Sequence, residues 1–474
     1  MKVFLTIVLL LLLQVLNGQT NAATSDSSMT LSEKQVIDIV KHFHPVARQA
    51  AIMVQKAKAD VTIAQGGFDP SLSTVIAEKT FDGTTYYRNT QQGLLIPTWY
   101  GIEIKAGIES LSGSRTDPQE TLGRTSYAGL TVPLAKNLLM DKRRAALQQS
   151  KIFREMSKVQ QQTVLNDLLL EALQAYWNWV QQYQVMQVVK EAVSVNEKRF
   201  ELVKIAMRQG DRPAIDTIEA LAQLQSFEYL YNEALLNFQN AGLELSVYLW
   251  KENNAAYQLP STVLPDPQWR KTGIDKIALP LFEELLTQAA AAHPDLLQYN
   301  FKLDALQVEK KLKFQELLPV FNFRYNQLGK GYNLSKTITA PLFENSFQYG
   351  VTLGIPLRLS EGRGEYRKAK LKIQETQLEQ GLKQQLVLNK VKSYYNELNN
   401  LKRQVVLQQQ QYRNYLALQK GEETRFFNGE SSLFLINSRE NKTLEALQKL
   451  AELETKFFKT LNSLQWAAGL LFKI

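Results

Sequence analysis

The chain has 474 residues, of which 45% are apolar and 21% are charged. This composition is typical of a protein that buries a large core, and it excludes an intrinsically disordered chain. The formal charge is +9, but lysine and arginine are interspersed with glutamate and glutamine along the predicted helices, which favours solvated helix faces over a nucleic-acid groove. The absence of cysteine excludes disulfides, thiolate metal sites and a lipid-modified N-terminal cysteine.

The N-terminus has the pattern of a secretory signal peptide. A lysine precedes an apolar run from Val3 to Leu13, which a single threonine interrupts, and a polar stretch follows. The run is too short for the ~20 residues that a membrane-spanning helix needs. We therefore predict a signal peptide over residues 1–22 and export of the mature chain. Cleavage after Ala22 is the main expectation, and cleavage after Gly18 is the alternative.

Proline landmarks recur along the chain at a constant offset. Pro45 precedes Pro70 by 25 residues, and Pro294 precedes Pro319 by the same distance. A histidine stands before Pro45 and before Pro294, and the second set lies 249 residues after the first. Such self-similarity indicates two copies of one structural unit.

The landmarks divide the chain into two repeats that share one plan. Each repeat begins with a helix, continues with β-strands and ends with a long helical hairpin. The linker between them holds four of the fourteen prolines, as expected of a connecting segment. The predicted segments are the signal peptide at 1–22, the first repeat at 23–258 with strands at 70–133 and a helical hairpin at 136–257, the linker at 259–280, and the second repeat at 281–474 with strands at 319–356 and a helical hairpin at 365–474.

Alternation of apolar and polar residues with a period of two predicts the β-strands. The segments with this pattern are Val320 to Asn326, Phe347 to Ile355, Tyr100 to Ile108, and Tyr127 to Val132. The strand-to-helix junctions are marked by Pro70, Pro133, Pro319 and Pro356. Pro133 lies 63 positions after Pro70, and Pro356 lies 37 positions after Pro319, so the first repeat carries 26 extra residues. An insertion of this length suits one β-hairpin.

Long helices follow the strands in both repeats. Lys136 to Gln209 contains neither glycine nor proline over 74 residues, and as one helix it would be ~110 Å long at ~1.5 Å per residue. Apolar residues recur there at every seventh position, as in a coiled-coil seam. Glycine-centred turns at Arg208–Pro213 and Phe426–Glu430 predict that both long helices reverse. The return helices are expected from about Ala214 to Tyr257 and from Ser432 to the C-terminus.

This order of elements and its twofold recurrence resemble the TolC family of outer-membrane efflux proteins. The motifs that carry the resemblance are Gly67-Phe68-Asp69-Pro70, Val132-Pro133-Leu134 with Arg143-Arg144-Ala145, Ile355-Pro356-Leu357, the Gly362/Gly364 turn with Arg367-Lys368-Ala369, and the segment from Gly210 to Ala220. The resemblance covers nearly all of the mature chain. It implies a mainly α-helical fold with β-strands: a trimeric outer-membrane β-barrel continued by a long periplasmic coiled-coil α-helical barrel, with two internal repeats in each protomer.

The resemblance also implies a function and partners. It implies a passive exit duct of a tripartite efflux or type I secretion system, placed in the cell outer membrane with its helical domain in the periplasm. The duct would be a homotrimer, gated at its helical tips and docked by a periplasmic adaptor (membrane fusion) protein and an inner-membrane pump. From the residues we expect no cofactor, no nucleic-acid partner and no enzymatic activity, because no catalytic constellation stands out among the helix charges and the basic residues form no patch. The cargo stays open, since drugs, metals and proteins leave through similar ducts.

General physical reasons favour the same assembly. A lone sheet of four strands would leave open edges in lipid, and only closure removes them. A helix of ~110 Å has no neighbour of matching length in a compact monomer. The competing interpretation is a structural or adhesive coiled-coil protein whose strands pair without forming a pore.

The helical turns are the predicted site, because they would form the narrow entrance of such a duct. The candidates for gate or adaptor contacts are Arg208, Gly210, Asp211, Arg212, Asp216, Asn428, Gly429 and Glu430, with simple turn chemistry as the alternative. The best-known family members carry two aspartates just beyond the second turn, whereas Leu435 and Ser438 occupy the matching positions here. An acidic ring at the entrance would therefore have to come from Asp216 or Glu430.

Other chemistry finds little support in the sequence. His42, His44 and His293 do not suggest a metal site, because two of them belong to the repeated His-Pro helix start and no acidic partner recurs with both. Gly362-x-Gly364 lacks the third glycine of a dinucleotide-binding loop. Trp177 and Trp179 lie in the seven-residue rhythm of the first long helix, which favours packing over a substrate path.

Overall fold

The computed structural model describes residues 30–114, 117, 121–271 and 273–473, so the predicted signal peptide lies outside the described residues. The strands are β1 (Thr30–Leu31), β2 (Ser71–Phe81), β3 (Thr84–Pro97), β4 (Glu103–Ser112), β5 (Gly123–Pro133), β6 (Leu264–Pro265), β7 (Val320–Lys330) and β8 (Phe347–Gly354). The helices are α1 (Glu33–Phe43), α2 (Pro45–Gln65), α3 (Lys142–Arg208), α4 (Ala214–Ser246), α5 (Gln268–Lys271), α6 (Phe282–Ala292), α7 (Pro294–Gln315), α8 (Leu334–Thr339), α9 (Ser360–Phe427) and α10 (Leu433–Ala467).

The main sheet has six strands in the order β2-β3-β4-β5-β7-β8, and each strand is antiparallel to its neighbours. β5 of the first repeat pairs with β7 of the second, so both repeats share one sheet. The sheet of four strands expected from the sequence gains two because the hairpin β2–β3 joins its edge. That hairpin closes at Asp82-Gly83, with φ of 50° and 72°, which matches the left-handed residues of a tight hairpin turn. The short strands β1 and β6 pair separately, in parallel.

The strand expected from Tyr100 to Ile108 begins later than its alternating pattern suggested. β4 starts at Glu103, because the residues before it form a turn in which Gly101 has a φ of 84°. Trp99 of this turn stacks on Phe68, with 4.2 Å between the ring centroids. The apolar side chains before β4 therefore fix the turn against the end of α2 instead of extending the strand.

The first long helix is shorter than its glycine-free and proline-free sequence suggested. α3 has 67 residues instead of 74, because residues 134–141 first pass beside the start of β7. There the N–H of Lys136 donates to the carbonyl of Pro319 over 3.1 Å. The helix begins where the side chain of Asp141 accepts the N–H of Arg144 over 2.9 Å, which is a typical N-cap.

Other helix ends also differ from the sequence-based expectation. α4 ends at Ser246 rather than near Tyr257, because the Ser246 hydroxyl accepts the N–H of Leu259 over 2.9 Å and stabilises a bend in the chain. α9 begins at Ser360, before the expected start at 365. α10 ends at Ala467 instead of at the C-terminus. Within the described residues, no helix is both long enough and apolar enough to cross a membrane.

The repeated histidines cap the helices that follow them. Nδ1 of His44 accepts the N–H of Val46 over 3.2 Å, and Nδ1 of His293 accepts the N–H of Asp295 over 3.1 Å. In both cases the proline after the histidine occupies the first helical position, for which its fixed φ is suited. Burial lowers the pKa of both imidazoles, which favours the neutral, hydrogen-bond-accepting form. Among the described residues no cluster of histidine and carboxylate side chains could hold a metal.

The largest core cluster surrounds the middle of α3. Tyr176, Trp177 and Trp179 are fully buried there. Trp177 stacks on Phe458 of α10 with 4.4 Å between centroids, and its Nε1 donates to the buried Glu33 over 3.1 Å. These aromatic residues pack between helices, as their spacing in the sequence suggested, and they do not line an open path.

Candidate functional site: the helical tips and the two-faced sheet

Both long helices end in the same kind of turn. Gly210 and Gly429 have φ of 82° and 79°, a conformation that glycine adopts without steric cost. The N–H of the next residue donates to a carbonyl five residues earlier, over 3.0 Å for Asp211 and 2.8 Å for Glu430. This pattern is the Schellman cap. Simple turn chemistry therefore accounts for the two glycines.

Arg212 joins the two turns. Its Nη2 donates to the carbonyl oxygen of Phe426 over 2.9 Å, and its guanidinium carbon lies 4.0 Å from the centre of the Phe426 ring. The carboxylate of Asp216, one helical turn later, lies 3.8 Å from Nη1 of Arg212. We call Arg212, Asp216 and Phe426 the tip clasp. It attaches the first helical hairpin to the end of α9 in the second hairpin.

A more buried ion-pair network connects three helices near the clasp. Arg199 of α3 lies 2.6 Å from Glu440 of α10 and 3.5 Å from Glu423 of α9. The side chains of Arg199 and Glu440 are only 12% and 6% exposed. Hydrogen bonds between ionised groups are short and strong, and a buried charge that loses its partner is costly. We call these three residues the Arg199 network.

A cavity of about 420 Å³ separates α3 from α9 between the clasp and the Arg199 network. Its walls include Leu202, Phe427 and Ile436; the charged groups that line it from the two clusters are Arg212, Arg199 and Glu423. Helices with a gap between them keep fewer packing contacts there, and such regions open at lower free energy than a continuous core. Beside this cavity the two tips are held by the polar contacts above and by a small apolar cluster, in which Val203 and Ala220 of the first hairpin pack against Phe426 and Ile436 of the second.

Of the predicted site residues, Arg212 and Asp216 meet in the clasp. The others lie exposed on the turns; they are Arg208, Gly210, Asp211, Asn428, Gly429 and Glu430. Leu435 and Ser438 are also exposed, on the first turns of α10. Beside them Phe427 and Phe434 are 73% and 70% exposed, so the second tip presents an apolar surface next to its charges.

The sequence alone did not identify Arg199, Glu440 or Phe426 as site residues. Arg199 and Glu440 are charges among many on long helices, and 241 positions separate them. Phe426 was noted only as the start of a turn. No local pattern marks a charge that is neutralised by a helix from the other repeat.

The strand register gives the sheet one mainly apolar and one mainly polar face, although Val75, Leu95, Leu111 and Leu328 lie on the polar face and Thr74, Thr90, Gln92, Ser126 and Gln327 lie on the apolar face. The apolar face carries Leu72, Ile76, Leu94, Ile96, Ile104, Ile108, Leu130, Val132, Phe321, Phe323, Tyr325, Tyr349, Val351 and Leu353. The polar face carries Asn89, Gln91, Glu103, Lys105, Glu109, Thr125, Thr131, Arg324, Asn326, Gln348 and Thr352. Three charged residues do lie on the apolar face, toward the strand ends far from the helices; they are Glu78, Arg88 and Arg124.

Side-chain contacts on the polar face lock the inserted hairpin into the sheet. Tyr127 of β5 lies across Gly93 and Gly107, where an added Cβ would come within 2.8 and 2.7 Å of it. The Tyr127 hydroxyl accepts a hydrogen bond from Gln91 over 3.2 Å. Only glycine at these two positions leaves room for the Tyr127 ring. The ring therefore packs across β3 and β4 and holds both strands against β5.

Four prolines lie at the boundaries between strands and helical segments. Pro70 precedes β2, Pro133 ends β5, Pro319 precedes β7 and Pro356 follows β8. A proline lacks the N–H that would continue a strand ladder. Ion pairs reinforce the junction, at 2.6 Å between Lys136 and Glu316 and at 3.2 Å between Arg143 and Glu103.

Comparisons with known proteins agree with this architecture. Residues 285–470 match the family model described as outer membrane efflux protein. The structure resembles the CmeC outer membrane channel of Campylobacter jejuni, with 16% identity over 93% of this chain and 86% of that chain and a TM-score of 0.63. It also resembles CusC, with 14% identity, 95% coverage of both chains and a TM-score of 0.67. It further resembles the open state of the MtrE outer membrane channel of Neisseria gonorrhoeae, with 14% identity over 96% of this chain and 95% of that chain and a TM-score of 0.63. No curated protein matches the sequence.

These matches define the fold, which is mainly helical with a β-sheet and is shared with solved outer membrane channels. The resemblance to the outer-membrane efflux family that the sequence motifs indicated is confirmed, by the family model over most of the second repeat and by the fold over nearly the whole chain. The proteins of this family are channels and not enzymes, in agreement with the sequence-based expectation.

Proposed function

We propose that three copies of this chain form a passive exit duct in the outer membrane, with the sheets closed into a barrel and the long helices forming a periplasmic tunnel. The observation that carries the proposal is the six-stranded, two-faced sheet whose end strands, β2 and β8, have no partner within the described chain. Open strand edges are not tolerated in lipid, and closure with further copies satisfies them. The apolar face then meets lipid and the polar face lines the lumen.

The helices support association with further copies. α4 exposes Tyr229, Leu236 and Leu243, which are 71%, 54% and 57% exposed and stand seven residues apart. A stripe of this spacing is the seam by which one helix packs on another. Within the described residues the stripe has no partner, so a neighbouring copy is the natural occupant.

The proposal is tested with purified protein in detergent and in planar lipid bilayers. We expect a native mass of three copies and stepwise channel conductance. A monomer without conductance contradicts the proposal. A stable trimer that seals the bilayer favours the structural or adhesive alternative, because its strands would then pair without a pore.

The tip clasp is the proposed gate of this duct. Arg212 supplies a hydrogen bond and a ring contact between the two hairpins beside a cavity, so its loss should make separation of the tips easier. We expect Arg212→Ala to raise the open probability or the conductance in bilayers. Arg208→Ala removes an exposed arginine from the same turn and serves as the matched control, with unchanged conductance. Equal behaviour of the two variants contradicts a gating role for the clasp.

The exposed tip is the proposed docking surface for a periplasmic adaptor, and through it for an inner-membrane pump. Phe427 and Phe434 offer apolar contacts beside Asp211 and Glu430, all near the end of the helices. A photo-reactive residue at Phe434 should give an adduct with a periplasmic protein in cells, whereas one at Tyr229 should give an adduct with a second copy of the chain. Adducts between copies at both positions contradict the docking proposal.

A further inference from the structure

The hairpin β2–β3 has the properties of barrel wall and not of a surface loop. Its strands have 11 and 14 residues, as long as β4 and β5, and β3 pairs with β4 over ten consecutive positions. The two faces also continue across it. Leu72, Ile76 and Leu94 extend the apolar face, while Ser73 and Gln91 extend the polar face.

The hairpin is also anchored at both ends of the sheet. At the helical end, the turn between β3 and β4 is held by the stacking of Trp99 on Phe68 at 4.2 Å. Farther from the helices, Asn89 of β3 donates to Glu109 of β4 over 3.3 Å, and Arg88 pairs with Glu78 at 2.9 Å. That last pair lies on the apolar face. Nearer to the helices the same face of the hairpin carries no charge; it combines Leu72, Ile76, Leu94 and Ile96 with the uncharged Thr74, Thr90 and Gln92. This distribution matches a strand pair whose middle contacts lipid.

The insertion changes which strand ends the sheet. With the hairpin in place, β2 and β8 are the end strands, they run in opposite directions, and nearly all residues of both are exposed. Without it, β4 would be the end strand. β2 of one copy can therefore pair with β8 of another in the antiparallel arrangement that neighbouring strands have throughout the sheet.

We propose that β2 of one copy pairs with β8 of the next, so that three copies close an eighteen-stranded barrel, six strands from each. This inference rests on the proposed trimeric channel. The circumference of a barrel grows with its strand number, so six strands per copy give a pore about one and a half times as wide as four would. With a strand spacing of ~4.8 Å and a tilt of ~40°, the barrel is about 36 Å across instead of about 24 Å.

The test uses cysteine pairs, because the chain has no cysteine of its own. Thr352 on the polar face of β8 is changed to cysteine and combined in turn with Ser73→Cys, Val75→Cys or Ala77→Cys on the polar face of β2. Three β2 positions are used because the register between copies is not fixed by one chain. The matched control combines Thr352→Cys with Lys105→Cys or Glu109→Cys on the same face of β4. After oxidation in the assembled protein, denaturing gels report covalent links between copies.

We expect links in at least one β2–β8 variant and none in the β4–β8 variants. Links at β4 without links at β2 overturn the proposal, because they place the hairpin outside the barrel. A trimer that forms no link in either set also overturns it. Native mass measured on the same samples identifies the separate case in which no trimer forms, and that result rejects the proposed channel together with this closure.

Discussion

The two repeats share their local devices but differ where they meet. Both start a helix with a histidine cap and a proline, and both reverse at a glycine in the left-handed conformation. The first repeat supplies four strands of the sheet, and the second supplies two. At the tip, the first repeat supplies Arg212, and the second supplies Phe426, whose carbonyl oxygen accepts the hydrogen bond from Arg212. Features that depend on a few neighbouring residues therefore recur, whereas features that join the repeats do not.

The largest effect is expected from the ion pairs that join the repeats. Glu440→Ala leaves the buried Arg199 without its closest partner, and breaking a buried pair costs about 3–5 kcal/mol. Hydrogen exchange of the amides around Arg199 and Glu440 should report this loss as faster local opening.

The matched control for that change lies on the same helix. Glu452 pairs with Lys449 at 2.8 Å, but both side chains are about half exposed, so Glu452→Ala should cost less than about 1 kcal/mol. Similar exchange rates in the two variants would contradict the view that the Arg199 network holds the tips.

A smaller and equal effect is expected at the two turns. Gly210→Ala and Gly429→Ala place a Cβ in the left-handed region, which costs about 1–2 kcal/mol each. Gly421, in the exposed part of α9, has an ordinary helical conformation and nothing near its position for a Cβ. Gly421→Ala should therefore be neutral or stabilise by up to about 1 kcal/mol. Thermal unfolding of the three variants under one set of conditions distinguishes these outcomes. Unequal losses of stability at the two turns would show that the turns are not equivalent in the two repeats.

The histidine caps should make the stability of both repeats depend on pH in the same way. Burial lowers the pKa of His44 and His293 from the usual value of about 6.5. The unfolded chain therefore takes up protons first, so the stabilisation is complete above pH ~6.5 and is lost as the pH falls below that value. A protonated imidazole cannot accept the capping N–H.

The corresponding variants are His44→Ala and His293→Ala. Each should cost about 0.5–2 kcal/mol at pH 7.5, and less at pH 5, when the cap is already weakened. Exchange rates at the starts of α2 and α7 measure the effect, with the exposed His42→Ala as control. A cost that stays the same at both pH values would show that the caps do not depend on neutral imidazoles.

The smallest effect is expected in the lumen of the proposed barrel. The charged residues of the polar face are Lys79, Lys105, Arg324 and Lys330 against Glu103 and Glu109, so this face is net basic and should favour anions. Arg324→Gln should lower the anion preference by about twofold or less. Reversal potentials in a salt gradient measure it, with Arg88→Gln on the apolar face as control. An unchanged preference after Arg324→Gln would place this face away from the pore.

Much of the framework was predictable because it depends on short-range patterns. The junction prolines, the alternating strand Val320 to Asn326 and the glycine turns each follow from rules that act over a few residues. Errors occurred where a tertiary contact overrode the pattern. The expected helix start at Lys136 was wrong because this residue hydrogen-bonds to Pro319, just before β7. The expected strand start at Tyr100 was wrong because the neighbouring Trp99 stacks on Phe68.

The sequence by itself determined the repeat, the order of helices and strands, and the resemblance to outer-membrane efflux proteins. These features depend on periodicity and turn chemistry, which are set by residues close together in the sequence. Only the tertiary structure decided that the inserted hairpin joins the sheet, and that Arg212 and Arg199 bind groups from the other repeat. These contacts connect residues more than 200 positions apart. They depend on how two long helical hairpins lie side by side, which no local pattern of residues specifies.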